Sequence, residues 1–326
     1  MPMTQNINAK EIKRVTPGNQ PVFIVAPVRS GSTLLHLMLD SHPDMVNPGE
    51  CDFLFDQVAD DGALPNIKSF HEWLEVNRYF LDKQVKADPS LGFVELINSF
   101  VNQMQQGKQV IVMNVHHNFC RIPKIFPDAK YIHLIRDGRD VARSCIGMGW
   151  AASVYYGIDI WRDAEVAWDR LKETLHPSQY MEIKYEELLE NVEAGLKQIC
   201  QFVGFEYSAN MMDYAVNSTY SLPDNSLSYQ WKTKYNQREL FLVESKVGPL
   251  LRSRGYEISG VVLSGPGLAE KVNLFVRNKW YRAKKQIGMY GLPLFLQYYL
   301  SKKIGLYRWE RSLAVRTNAA IAKVLK

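Results

Sequence analysis

VAPVRSGSTLL, residues 25–35, runs from an apolar strand through a turn of small residues into a leucine-rich helix. Such a turn at a helix N-terminus offers unpaired backbone N–H groups and the positive end of the helix dipole. Ser30, Ser32 and Thr33 add hydroxyl donors, and Gly31 lets an anion approach the backbone closely. Arg29 supplies charge through a planar fork that suits two phosphate or sulfate oxygens. The stretch predicts an anion-binding loop; the plainer alternative is a strand–helix turn whose serines only cap the helix. An ATP-binding loop of the form GxxxxGK[ST] needs glycine and lysine where this chain has Ala26 and Ser32, so a magnesium-chelated triphosphate is the poorer fit.

Outward from the loop, short β-branched or aromatic runs at Val22–Ala26, Gln109–Val115, Lys130–Ile135 and Tyr180–Lys184 predict buried strands. Helical patterns cover Thr33–Asp40, Phe70–Leu81, Phe93–Gln105, Asp140–Cys145, Asp159–Leu175 and Glu186–Phe202. This alternation predicts an α/β, P-loop-like three-layer fold, a central parallel sheet flanked by helices. Ligands of such sheets bind beyond the carboxyl ends of the strands, where the opening loop sits. A Pro/Gly/Ser-rich break, SGVVLSGPGL (259–268), divides a main domain over 21–258 from a helical C-terminal extension over 266–326. Residues 1–20 are expected to form an N-terminal arm.

A second constellation, KYIHLIRDGRDVARSCI (130–146), places Arg136 at a strand's carboxyl end and Ser144 two turns into the next helix. Arg136 and Ser144 are placed to clamp a second phosphate some distance from the first. The alternative is that Arg136, Asp137, Arg139 and Asp140 form a surface ion-pair cluster.

Composition fits a folded enzyme, with 46% hydrophobic and 12% aromatic residues. The four cysteines are widely spaced and show no metal-ligand pattern, which predicts reduced thiols and no metal. No apolar segment follows Met1, so a cytoplasmic location is expected, and the sequon at Asn217 is read as chance. The net charge of +5 hides a split: residues 270–326 hold 13 Lys/Arg against Glu270 and Glu310, and the other 269 residues carry a net −6.

Together these residues resemble the superfamily of sulfotransferases that use 3′-phosphoadenosine-5′-phosphosulfate (PAPS). Arg29-Ser30-Gly31-Ser32-Thr33 matches the 5′-phosphosulfate loop [KR]SG[ST]T, and Arg136 with Ser144 matches the 3′-phosphate motif. IFPDAKYIHLIRDGRDVARS (125–144) resembles the tyrosylprotein and carbohydrate branch, and YEELLENVEAGLKQICQFVGF (185–205) its downstream helix. The resemblance implies PAPS as sulfuryl donor, PAP as product and no metal. It also implies Tyr185 as an adenine neighbour and Trp231 with Lys232 in a closing loop. It covers roughly residues 20 to 257. A kinase or NTPase and a non-catalytic PAP-binding scaffold are the rival readings.

Transfer to a hydroxyl wants a general base on the acceptor side. In the resembled branch a glutamate in a Gly-Glu pair serves, and Gly49-Glu50 matches it. His116 or His117 is the other candidate: the cytosolic small-molecule branch carries its base histidine after the corresponding strand, two residues beyond a lysine that is Asn114 here. Lys232 or Lys124 would then supply the missing charge. The acceptor is expected among glycans, glycolipids and small metabolites ahead of protein tyrosine. For the basic, aromatic extension over 270–326 the readings are a solvated face packed on the body, a peripheral membrane-surface contact, or an anionic partner. Nothing resembles a nucleic-acid recognition module, and no signal bears on oligomeric state.

Overall fold

The computed structural model describes residues 20–304 and 307–324; the expected arm over 1–20 lies, Gln20 apart, outside the described residues. Five parallel strands form one sheet in the order β2-β3-β1-β4-β5, with β1 Val22–Val25, β2 Met45–Val46, β3 Val110–Val115, β4 Lys130–Ile135 and β5 Tyr180–Lys184. β1 lies in the middle, with Val22 opposite Val112 on one side and Lys130 on the other. Its continuous apolar run follows from burial on both faces: Phe23 and Val25 enter one core, Val22, Ile24 and Ala26 the other. All four predicted strands are present within a residue of their expected bounds. The two-residue β2 is too short to show a period.

Helices cover both faces, as expected, but two of them are broken. The run predicted over Phe70–Leu81 is two helices, Ile67–Leu74 and Arg78–Lys83, because the Asn77 side chain accepts from the Phe80 N–H and starts a new one. Likewise Glu186–Phe202 is Tyr185–Glu190 followed by Val192–Val203, with Asn191 capping the second through the Ala194 N–H. The helix after β4 spans Gly138–Gly147, and the next, expected from Asp159, begins at Val154 and runs to Lys172.

Beyond the helix Gln237–Ser253, three helices form the C-terminal extension: Leu268–Tyr290, Leu292–Ile304 and Tyr307–Val324. Pro293 sits at the start of the second, where its missing N–H breaks no helical bond. The extension docks through Glu270, which pairs with Arg238 near its start, and at two further places. Asn278 accepts from the Ala152 N–H at 2.9 Å and the Tyr281 hydroxyl donates to the Ile146 carbonyl at 2.9 Å. Farther on, Arg311 pairs with Glu75 and the Asn318 side chain donates to the Val76 carbonyl at 2.7 Å. Among the described residues no helix is long and apolar enough to cross a membrane.

Candidate active site

The loop after β1 turns tightly. Arg29 (φ 72°) and Gly31 (φ 91°) both adopt the left-handed conformation, which glycine takes freely and arginine does not. The amides of Leu34 and Leu35 both return to the Gly31 carbonyl, so the amides before them point out of the helix end, where an anion would sit. Ser32 opens that helix and is buried, while Thr33 is exposed. A lysine at Ser32 would have to bury its charge.

The two predicted anion sites are not far apart. Arg29 Nε donates directly to the Ser144 hydroxyl at 2.9 Å. Arg136 donates to the Arg29 carbonyl at 3.1 Å and to the Leu227 carbonyl at 2.9 Å. Its guanidinium lies 4.4 Å over the Tyr185 ring, and that ring covers Gly31 so closely that a methyl group there would overlap it. Arg29, Gly31, Arg136, Ser144 and Tyr185 thus form one continuous cradle. Within it Arg136 Nε and the Ser30 hydroxyl are buried and without a partner. Buried donors of this kind fit a ligand that brings acceptor oxygens. Two phosphate-bearing ends fit such a donor set.

Arg136 is held by what lies behind it. The alternative reading, a surface ion-pair cluster, does not describe Arg139 and Asp137, which are 1% and 0% exposed. Arg139 grips Asp137 through Nε (2.9 Å) and Nη2 (2.8 Å) and reaches Glu244 at 2.8 Å. The Trp231 indole donates to Asp137 at 2.8 Å, and the Arg139 guanidinium lies 3.5 Å over its ring. Glu186 accepts from the Asp137 N–H at 3.0 Å and from the Tyr256 hydroxyl at 2.9 Å. Trp231 therefore faces this buried node, while Lys232 is exposed and leans over Tyr229 at 4.8 Å.

Across the mouth, the Gly49–Glu50 turn is stitched to the end of β3: the Asn114 N–H donates to Gly49 and the Cys51 N–H to Asn114. This brings the two rival bases together, with His116 Nε2 3.7 Å from Glu50 Oε1. The Ala26 carbonyl 2.9 Å from His116 Nδ1 can only accept, so Nδ1 carries a proton. His117 is occupied elsewhere, held by Asp52 at 3.1 Å and Asp56 at 2.7 Å; the Asp56 bond raises its pKa. Asn114, at the lysine position, donates to the Ser32 carbonyl at 3.4 Å and supplies no charge.

A model of the Sulfotransferase family matches residues 21–209, more than half of the chain. The chain belongs to this family. A putative protein-tyrosine sulfotransferase of Caenorhabditis briggsae is 24% identical over 242 residues, 68% of this chain and 79% of that protein. An omega-hydroxy-beta-dihydromenaquinone-9 sulfotransferase of Mycobacterium tuberculosis is 29% identical over 148 residues, 36% of this chain and 38% of its own length. An uncharacterised protein of Aquifex aeolicus is 26% identical over 218 residues, 61% of this chain but 27% of its own length. The chain thus spans well under two thirds of two of these three relatives. The sulfotransferase domain of the curacin biosynthetic pathway superposes with a TM-score of 0.56 at 18% identity, over 75% of this chain and 99% of that domain, a likeness of fold.

Around Glu50 this family member also holds residues that no motif announces. The Tyr79 hydroxyl hydrogen-bonds Glu50 and takes a bond from Arg78; burial first and the Glu50 charge second push its pKa up to about 12. Lys83, its side chain only 8% exposed, donates to the Pro48 carbonyl beside Glu50's turn. Lys83 is the buried cation here, whereas Lys124 lays its stem against Gly62. All three come from the short helix Arg78–Lys83 that Asn77 starts. The asparagine before Arg-Tyr was the one visible signal, and it marks a helix start rather than a site.

Proposed function

We infer that the protein transfers a sulfuryl group from PAPS to an acceptor hydroxyl by in-line displacement. When bound, PAPS supplies the activated sulfuryl group and the 5′-phosphate that leaves. Arg29, Ser30 and the free amides at the start of the loop helix stabilise charge that grows on the departing oxygens, a role that fixed donors serve without reorganising. Ser32 and Thr33 hold the 5′-phosphate. Arg136 and Ser144 hold the 3′-phosphate, and Tyr185 flanks the adenine. Glu50 takes the acceptor's proton, and His116 beside it receives that proton in turn, so the rival bases act as a relay. The acceptors named for the relatives differ, a tyrosine and a lipid-chain alcohol, and a hydroxyl is the chemistry they share.

The observation that carries this reading is the continuity of the cradle, Arg29 to Ser144 at 2.9 Å and Arg136 to Arg29 at 3.1 Å, facing the Glu50–His116 pair. A kinase is disfavoured by the buried Ser32, and a scaffold without catalysis by Glu50 and His116 standing together. PAP is expected to raise the melting temperature at micromolar concentration far more than ATP with magnesium. Glu50→Gln is expected to lose at least about 100-fold in turnover while binding PAP normally. Equal stabilisation by ATP and PAP would overturn the reading, and near-wild-type turnover of that variant would remove Glu50 from it.

A further inference from the structure

The C-terminal extension is anchored by a narrow stripe and leaves the rest of its surface bare. In the helix Leu268–Tyr290, Leu274 and Asn278 are buried and Tyr281 is half-buried against the body. The opposite face carries Val272, Val276 and Trp280, 54%, 56% and 63% exposed, with Phe275 beside them. The next helix repeats the pattern, with Leu292, Leu296, Leu300 and Ile304 exposed at helical spacing. Of the nineteen large hydrophobic residues exposed among the described ones, thirteen lie from Val262 onward, in one fifth of the chain. Apolar surface so concentrated calls for a partner.

Charge selects which partner. Lys271, Lys279 and Arg282 border the Val272–Val276 line on one side of the helix, Arg277 and Lys284 on the other. Glu270 is already paired with Arg238. A second copy presenting the same basic surface would be repelled. An apolar stripe flanked by cations whose stems cover apolar surface and whose heads reach outward matches anionic headgroups over acyl chains.

We propose that the exposed face of Leu268–Tyr290, continued by Leu292–Ile304, is an interfacial anchor that docks the protein on an anionic bilayer surface. The two further docking points of the extension give this a purpose. Ile146 lies two residues beyond Ser144 on the nucleotide side, and Val76 lies three residues before Tyr79 on the acceptor side. A chain tied to both walls carries the mouth between them to the surface that it binds. This deepens the sulfuryl-transfer reading, but docking needs neither PAPS nor acceptor, so its test fails or succeeds independently.

Full-length protein is mixed with vesicles of phosphatidylcholine, alone or with phosphatidylglycerol, and sedimented at low and high salt. Co-sedimentation is expected with the anionic vesicles, weakening as salt screens the lysines. The triple variant Val272→Asp/Val276→Asp/Trp280→Ala, all at exposed positions, is expected to bind about tenfold or more weakly, with melting temperature and PAP binding unchanged. Failure of the wild type to bind anionic vesicles at low salt overturns the proposal. So does undiminished binding by the variant. A wild-type dimer that the same substitutions dissolve into monomers also overturns it, by assigning the face to a second copy.

Discussion

Gly31 is where loop geometry and the cradle meet in one residue. Its φ of 91° excludes a side chain on conformational grounds, and the Tyr185 ring excludes one on steric grounds. Gly31→Ala is expected to cost about 1–3 kcal/mol of stability. By pushing Tyr185 off the cradle it should also weaken PAP binding at least about tenfold. Denaturant melts and PAP titrations check both, and unchanged affinity would mean that this contact does not shape the site. Arg29, Gly31, Arg136 and Ser144 were legible in the sequence because small residues and arginine at those spacings answer to a mechanism. Glu50 and His116 were each visible too, but as rivals. Their 3.7 Å separation arises because the Gly49–Glu50 turn bonds to Asn114, at the end of a strand 64 residues on. Tyr79 and Lys83 were invisible for the same reason: tertiary structure alone brings them to the turn.

The elements behind the cradle rest on a buried charge cluster. The helix Gly138–Gly147 starts beneath Arg136, and Arg139 within it ties Asp137 to Glu244 on the helix Gln237–Ser253. Removing one partner of such a cluster leaves the others charged, buried and uncompensated. Arg139→Met is therefore expected to destabilise the fold by about 3–5 kcal/mol and to lower PAP affinity as Arg136 loses its support. A loss under about 1 kcal/mol in denaturant melts would contradict the placement of these charges in the interior. The same residues had a surface ion-pair reading, since no local pattern tells a buried DGRD from an exposed one; the partners Trp231 and Glu244 lie about a hundred residues away. Strands were more legible than helices. Burial on both faces leaves uninterrupted apolar runs, whereas Asn77 and Asn191 break helical periods that look continuous when only apolar spacing is counted.

At the scale of the molecule, stability depends on acid through Glu182. This carboxylate on β5 accepts from Trp168 at 2.7 Å and Lys172 at 2.7 Å and faces His133 at 3.4 Å. The His133 contact first, with Lys172 and Trp168 behind it, holds its pKa well below the usual 4.5. A folded-state pKa below the unfolded one stabilises the protein fully above the unfolded value, and that contribution is lost as pH falls through the folded value. Glu182→Gln should thus lower the melting temperature at neutral pH, and the gap to wild type should narrow as pH drops below about 4.5. A gap that stays constant down to strongly acidic pH would exclude this origin. The sequence showed the basic charge of the extension at this scale, but not where it docks on the body.

The dependence of Arg139 on Glu244 and Trp231 also has a temporal side. Made from N- to C-terminus at about 5–20 residues per second, the chain emits Arg139 roughly 5 to 21 s before Glu244. During that interval Asp137 alone faces the arginine, and β5, Tyr180–Lys184, joins the sheet before the second carboxylate is made. The cradle's own residues end with Tyr185, and Arg29 through Thr33 are among the first of them to be translated. The node behind the cradle, which needs Trp231 and Glu244, is complete only later still.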